Sequence, residues 1–254
     1  IAKAAKQFGF SESFNLPVSA ISKGLIPDKA WKKSNYDKNW LLGDTLNVGI
    51  GQGYILTTPL QIAVMTARIA LGSKVYPRLI NAFDGQIAPM SSAQPLNIPT
   101  SILTDIRNGM ISAVNDTGGT AFKSRIFDPK FFMAGKTGTA QVRRISALER
   151  EQGVTKNEDL PWEKRDHALF TGYAPIDKPK YAVSVIVEHG GGGSAIAAPI
   201  ARDIILYALH DETPPISSYP PEQRDEMAAL LKILDASLKN KSLNIKSQKK
   251  ESQT

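Results

Sequence analysis

Ala134-Gly135-Lys136-Thr137-Gly138-Thr139-Ala140-Gln141-Val142 is the stretch on which the fold and the chemistry of this chain turn. Phe131-Phe132-Met133 leads into it, and the spacing predicts a strand from Lys136 to Val142. Side chains alternate across a strand, so Thr137 and Thr139 project from the same face. Lys136 adds positive charge beside them. Gly138 has no Cβ and lets a ligand approach the backbone, whose N–H groups can stabilise an oxyanion. A cation, two hydroxyls and open backbone along one strand suit the recognition of a carboxylate-bearing substrate. The tetrapeptide alone leaves a plainer alternative open, a strand with a surface lysine.

Working outward, Thr58-Pro59 starts a helix with an N-cap and a proline at the first position. It is expected to run to about Leu71 and stop at Gly72, apolar on nearly every side through Leu60, Ile62, Val64, Met65 and Ile69. A second helix is predicted over about Thr100–Val114, with Ile102, Ile106 and Met110 four apart on one face. Residues 73–99 read as short strands and loop, and the first fifty residues as irregular. The charged, patternless segment 143–166 reads as an exposed excursion.

Two further strands are expected at Leu169–Ala174 and Tyr181–Glu188, joined by the turn Pro175-Ile176-Asp177-Lys178-Pro179. A helix with Pro199 in its first turn should end near His210, and an amphipathic helix over about 222–239 carries Met227, Leu230, Leu231, Leu234 and Leu238. Short connections make the three strands antiparallel neighbours. The fold class is therefore α+β, an antiparallel sheet covered by helices. Residues 1–210 form the main body, and 211–254 a Pro-rich linker, the amphipathic helix and a basic disordered tail.

The 254 residues are 42% hydrophobic and 22% charged, ordinary for a globular protein. Of the net charge of +7, the five lysines and one glutamate of 239–254 supply four, which leaves +3 for the body. So modest a charge argues against nucleic acid as a partner. With no cysteine there are no disulfides or thiolate metal sites. His167, His189 and His210 show no ligand spacing, and no metal or cofactor is expected. No stretch approaches the ~20 apolar residues of a membrane span, and the N-terminus lacks a signal-peptide core. Its Ala-Lys-Ala-Ala-Lys opening reads like the middle of a helix, as if further chain preceded it.

Three decoys are set aside. Gly49-Ile50-Gly51-Gln52-Gly53 has Tyr54 where a dinucleotide loop needs its third glycine. Gly190–Gly193 lacks a following Gly-Lys-Ser/Thr and reads as a flexible turn. Ser194 is not in a nucleophile elbow, because Ile196 replaces the last glycine.

The wider series is more specific than the tetrapeptide. GDTLNVGIGQGYILTTPLQIA (43–63), GGTA (118–121), AGKTGTAQV (134–142), DHALFTGYAP (166–175) and VEHGGGGSAIAAPIARDI (187–204) follow in order. Together they resemble the penicillin-binding transpeptidases of bacterial cell-wall synthesis, above all the elongation-specific ones, over about residues 1–208. The resemblance implies a partial penicillin-binding transpeptidase fold of the serine β-lactamase type. It implies D,D-transpeptidation of peptidoglycan, in which a serine attacks the penultimate D-Ala carbonyl of a stem peptide and an amine resolves the acyl-enzyme. β-Lactams acylate the same serine. On that pattern Lys136 supplies positive potential beside the nucleophile, and Thr137 and Thr139 hold the terminal carboxylate. The Thr139 N–H forms half of the oxyanion hole, and Gln141, two positions on, lines the cleft. The implied location is the periplasmic face of the inner membrane, with the cell-elongation machinery as partner.

The family also needs Ser-x-x-Lys and Ser-x-Asn/Asp. Ser247-Gln248-Lys249-Lys250 matches the first literally but lies downstream of the Lys-Thr-Gly strand, the reverse of the family order. Ser13-Phe14-Asn15 matches the second but sits past the place it should occupy. The expectation is the C-terminal part of a transpeptidase without its nucleophilic serine, inactive alone and dependent on the missing N-terminal part. The alternative is a non-catalytic remnant or partner-binding module that docks by its 222–239 helix.

Overall fold

A computed structural model describes residues 1–87 and 94–251, with side chains described through residue 237. Three short helices occupy the region expected to be irregular: α1 (Ala2–Gln7), α2 (Lys29–Tyr36) and α3 (Leu42–Gly49). Each of the last two has a local cause. Asp28 caps α2 by accepting from the Trp31 N–H at 2.8 Å. Asp44, in the first turn of α3, accepts from the Leu41 N–H at 2.7 Å and pairs with the buried Lys32 of α2. At eight residues each, these helices are too short to leave a clear apolar period.

Helix α4 (Pro59–Leu71) forms as its ends predict. Thr58 Oγ1 accepts from the Gln61 N–H at 3.2 Å and Gln61 Oε1 accepts from the Thr58 N–H at 3.1 Å, a reciprocal capping box. Gly72 stops the helix in the left-handed region, with φ of 69°. The short strands expected next are β1 (Ser73–Lys74), β2 (Ala82–Phe83), β3 (Gln86–Ile87) and β4 (Gln94–Pro95), paired β1 with β4 and β2 with β3. Helix α5 (Thr100–Asn115) follows.

The central sheet has three antiparallel strands in the order β5 (Ala134–Ala140), β6 (His167–Ala174) and β7 (Tyr181–Val187). Strand β5 starts and stops two residues earlier than expected. Ala134 and Gly135 already pair with Tyr173 and Gly172, and the ladder ends at Ala140 opposite His167. The excursion between β5 and β6 carries one short α-helix, α6 (Ala147–Gln152), capped by Ser146, and two 3-10 turns, Asn157–Asp159 and Trp162–Lys164. Helix α7 (Ala198–His210) is entered through a π-helical turn, Gly193–Ala197.

Helices cover both faces of the sheet. Ala168, Phe170 and Ala174 of β6 pack with Ala198, Ala201, Ile205 and Leu206 of α7, joined by Val183, Val185 and Val187 of β7. On the opposite face, Tyr173 packs with Ile69 of α4 and Met110 of α5. There the Thr66 and Thr171 hydroxyls meet at 2.6 Å, buried between α4 and β6. The period-two alternation of β6 thus separates two cores.

The segment 211–223, read as a linker, is seated against the body: Tyr219 joins the core beside α7. Ser218 O accepts from the Phe127 N–H at 2.8 Å, and Gln223 spans from Arg202 to the Lys123 carbonyl. Helix α8 (Arg224–Glu251) continues past 239, through the stretch expected to be disordered. No glycine or proline follows Pro221 to stop it. The side chains of 238–254 lie outside the described residues. Among the described residues, no helix is long and apolar enough to cross a membrane.

Candidate active site

The site is built on one edge of β5. The carbonyl oxygens of Ala134 and Thr171 point between β5 and β6, each 2.8 Å from the place a Cβ would take on Gly172 and Gly135. Alternate residues of an antiparallel strand turn both backbone groups the same way. Ala134, Lys136 and Gly138 therefore face β6, while Thr137 and Thr139 direct their N–H and C=O groups to the outer edge. No strand covers that edge among the described residues. There the Thr137 carbonyl accepts from Lys136 Nζ at 3.0 Å.

Side chains follow the register. Thr137 and Thr139 lie opposite Phe170 and Ala168, on the face of the sheet that α7 covers, whereas Lys136 lies opposite Thr171, on the α4 side. Lys136 and Thr139 are exposed. Thr137 Oγ1 is hydrogen-bonded to Thr120 Oγ1 at 3.0 Å, which brings the Gly118-Gly119-Thr120-Ala121 turn to the strand. Thr120 lies outside the residues expected at the site; a hydroxyl beside a glycine pair is the signal that marks it. Gln141 is exposed and one residue beyond the last ladder pair, so pairing does not fix its face.

On the α4 side, Lys136, Thr137 and Gly138 border a cavity of about 410 Å³ whose other walls include Phe10, Ile26, Ile62, Met65 and Leu169. Apolar atoms make up nearly all of its lining. A charged lysine at the rim of an apolar cleft, beside outward-facing amides, suits the anionic end of an extended peptide: the edge supplies strand pairing and the cation supplies charge. A nucleophile with a base beside it is a separate matter. The literal Ser-x-x-Lys, Ser247 to Lys250, falls on α8 among side chains outside the described residues. Ser13-Phe14-Asn15 places Phe14 in the core, with Ser13 and Asn15 exposed.

Beyond β5 the excursion is pinned rather than loose. The Arg143 guanidinium donates to both carboxylate oxygens of Glu149, at 2.7 and 2.6 Å. That fork holds the Glu149 carboxyl down at about 2. Across the sheet, burial raises the Tyr173 phenol above its ordinary value. The histidines form no metal group with other residues among those described. His167 and His189 instead stack edge-on at 4.8 Å, and His167 Nδ1 accepts the His189 backbone N–H at 2.9 Å.

The sheet and its covering helices are those of the penicillin-binding transpeptidase family, and the penicillin binding protein transpeptidase domain model matches residues 1–206. The chain belongs to that family. Within it, the chain is similar to MrdA and PBP2 proteins. A Haemophilus influenzae protein, peptidoglycan D,D-transpeptidase MrdA, is 38% identical over 232 residues, covering 88% of this chain and 35% of the relative. Pseudomonas aeruginosa PBP2, solved in complex with WCK 5153, superposes with a TM-score of 0.65 at 33% identity, covering 81% of this chain and 42% of that structure. Helicobacter pylori PBP2, solved in complex with MreC, gives a TM-score of 0.66 at 31% identity, covering 83% of this chain and 35% of that one. The chain thus spans about a third of the length of the Haemophilus relative.

Proposed function

We propose that this chain is the C-terminal part of a peptidoglycan D,D-transpeptidase of cell elongation, and that it supplies the substrate-binding wall but not the nucleophile. The uncovered β5 edge carries this reading, with the Thr139 N–H directed outward between two hydroxyls and Lys136. A stem peptide ending in D-Ala-D-Ala lies along that edge. Thr137 and Thr139 hold its terminal carboxylate, Lys136 supplies the positive potential, and Gln141 lines the far end.

A serine from the remainder of the protein attacks the penultimate D-Ala carbonyl. Its Oγ–C bond forms, negative charge gathers on the carbonyl oxygen, and the Thr139 N–H stabilises it there. The C–N bond to the last D-Ala then breaks and that residue leaves with a proton. An amine from a neighbouring stem attacks the ester and restores the serine hydroxyl. A β-lactam enters the same path and stops at the acyl-enzyme.

In this reading residues 1–210 complete the transpeptidase domain and 211–254 form its C-terminal extension. The assembly works at the periplasmic face of the inner membrane beside elongation proteins, an inference supported by the relative solved with MreC. Fluorescent penicillin tests the proposal. The isolated chain stays unlabelled, and a chimaera carrying the upstream part of the Haemophilus relative becomes labelled. A chimaera that folds and takes no label returns the chain to the non-catalytic alternative.

A further inference from the structure

Gly193 lies against the same peptide that the proposed mechanism uses. A Cβ there would stand 2.3 Å from Leu169 O, 2.5 Å from Gly138 O and 3.1 Å from Gly138 N, all backbone atoms. Gly138 and Leu169 are cross-strand partners, so Gly193 rests directly on their paired peptides. We infer that Gly193 is a positioning residue, whose seat on the Gly138 carbonyl sets the direction of the Thr139 N–H.

The inference follows from peptide geometry. The Gly138 carbonyl and the Thr139 N–H belong to one planar unit, so turning one turns the other by the same angle. Hydrogen bonds weaken steeply as the donor angle closes, and an oxyanion donor acts through its aim. The glycine run is not the loose turn that its composition suggests. The Gly191 N–H donates to Asp166 O at 2.8 Å, the His189 N–H to His167 Nδ1 at 2.9 Å, and the His189 ring lies 4.5 Å from that of Trp162. His189 itself is held at φ of 56°. These contacts fix the start of the loop, and α7 fixes its end, so Gly193 is pressed onto β5 from both sides. Gly192 next to it differs, with nothing within 4 Å of its ideal Cβ.

The consequence for catalysis rests on the proposed role of Thr139; the seating itself does not. Two measurements separate them. In the isolated chain, Gly193→Ala is expected to shift the Thr139 amide resonance in a nitrogen–proton NMR spectrum, while Gly192→Ala leaves it in place. His167→Ala releases the loop without adding an atom and is expected to shift the Gly193 and Thr139 amides together. If Gly193→Ala does not fold, this second variant carries the test. A Gly193 amide that moves while Thr139 stays still overturns the inference.

In the chimaera, Gly193→Ala is expected to slow acylation by penicillin about tenfold to a hundredfold, less than the ~10²–10³ that follows outright loss of an oxyanion donor. The dissociation constant for the first, non-covalent encounter stays unchanged, which a general loss of structure would not allow. If Thr139 moves and acylation keeps its rate, the role given to Thr139 is wrong and the seating of Gly193 stands.

Discussion

Replacing Arg68 with methionine removes the cation that holds α1 and the loop after it against α4. Arg68 is 1% exposed. Its guanidinium donates to Gln7 O at 3.0 Å, Val75 O at 3.2 Å and Glu12 Oε2 at 2.9 Å. Methionine fills much of the same space, so the change subtracts hydrogen bonds and charge more than packing. The two carbonyls lose a donor in partly buried positions, at about 1–3 kcal/mol each. The Glu12 side chain is 30% exposed and regains water, so its share is the smallest. The sum is about 2–6 kcal/mol, set mainly by the two carbonyls.

Arg68→Lys keeps the charge but cannot fork to three acceptors, and is expected to lose about half as much. Urea unfolding followed through Trp31, Trp40 and Trp162 measures both variants. The midpoint should fall in Arg68→Met with the slope unchanged. A loss under about 1 kcal/mol, within the range of ordinary surface changes, would refute the claim that Arg68 fastens this wall of the cleft.

Thr66→Val removes one hydroxyl of the buried 2.6 Å contact, leaves Thr171 Oγ1 its bond to the Val183 carbonyl at 2.8 Å, and should cost about 1 kcal/mol, whereas Thr66→Val with Thr171→Val should cost less than the two single changes added. A double-mutant cycle on unfolding free energies tests this; strict additivity would mean the two hydroxyls do not interact. Glu149 is held near 2 in the folded chain against an ordinary 4.5, so its pairing with Arg143 stabilises the excursion fully above the higher value and is lost as pH falls through the lower. Glu149→Gln should remove that part of the acid sensitivity, read from unfolding midpoints across this window. An unchanged pH profile would show that the fork contributes nothing to stability.

The sequence carries some of this structure openly and some of it hardly at all. Helix α4 is legible because both its ends are chemical: a Thr58-Pro59 start, a Gln61 that returns the cap, and a glycine stop. Strands β6 and β7 are legible as apolar runs broken by a proline turn. By contrast, α2 and α3 depend on Asp28 and on the Lys32–Asp44 pair, single contacts that no period reveals. The bounds of β5 depend on partners in β6, since Ala134 and Gly135 say little alone. The Lys-Thr-Gly-Thr edge announces itself through charge and hydroxyls, yet its outward-facing amides emerge only from the ladder. Thr120 reaches Thr137 across 17 residues and Thr66 reaches Thr171 across 105, separations at which a local pattern has no hold. Gly193 is the hardest to read, because its contribution is the atoms it lacks.

The most direct measurement compares fluorescent-penicillin labelling of the chimaera with and without Lys136→Ala. Lys136 is exposed, so the substitution leaves the core intact. The account predicts a labelled chimaera, with the label on a serine outside these 254 residues and lost in Lys136→Ala. Labelling that survives Lys136→Ala undiminished, or that appears at Ser247 of the isolated chain, would contradict it.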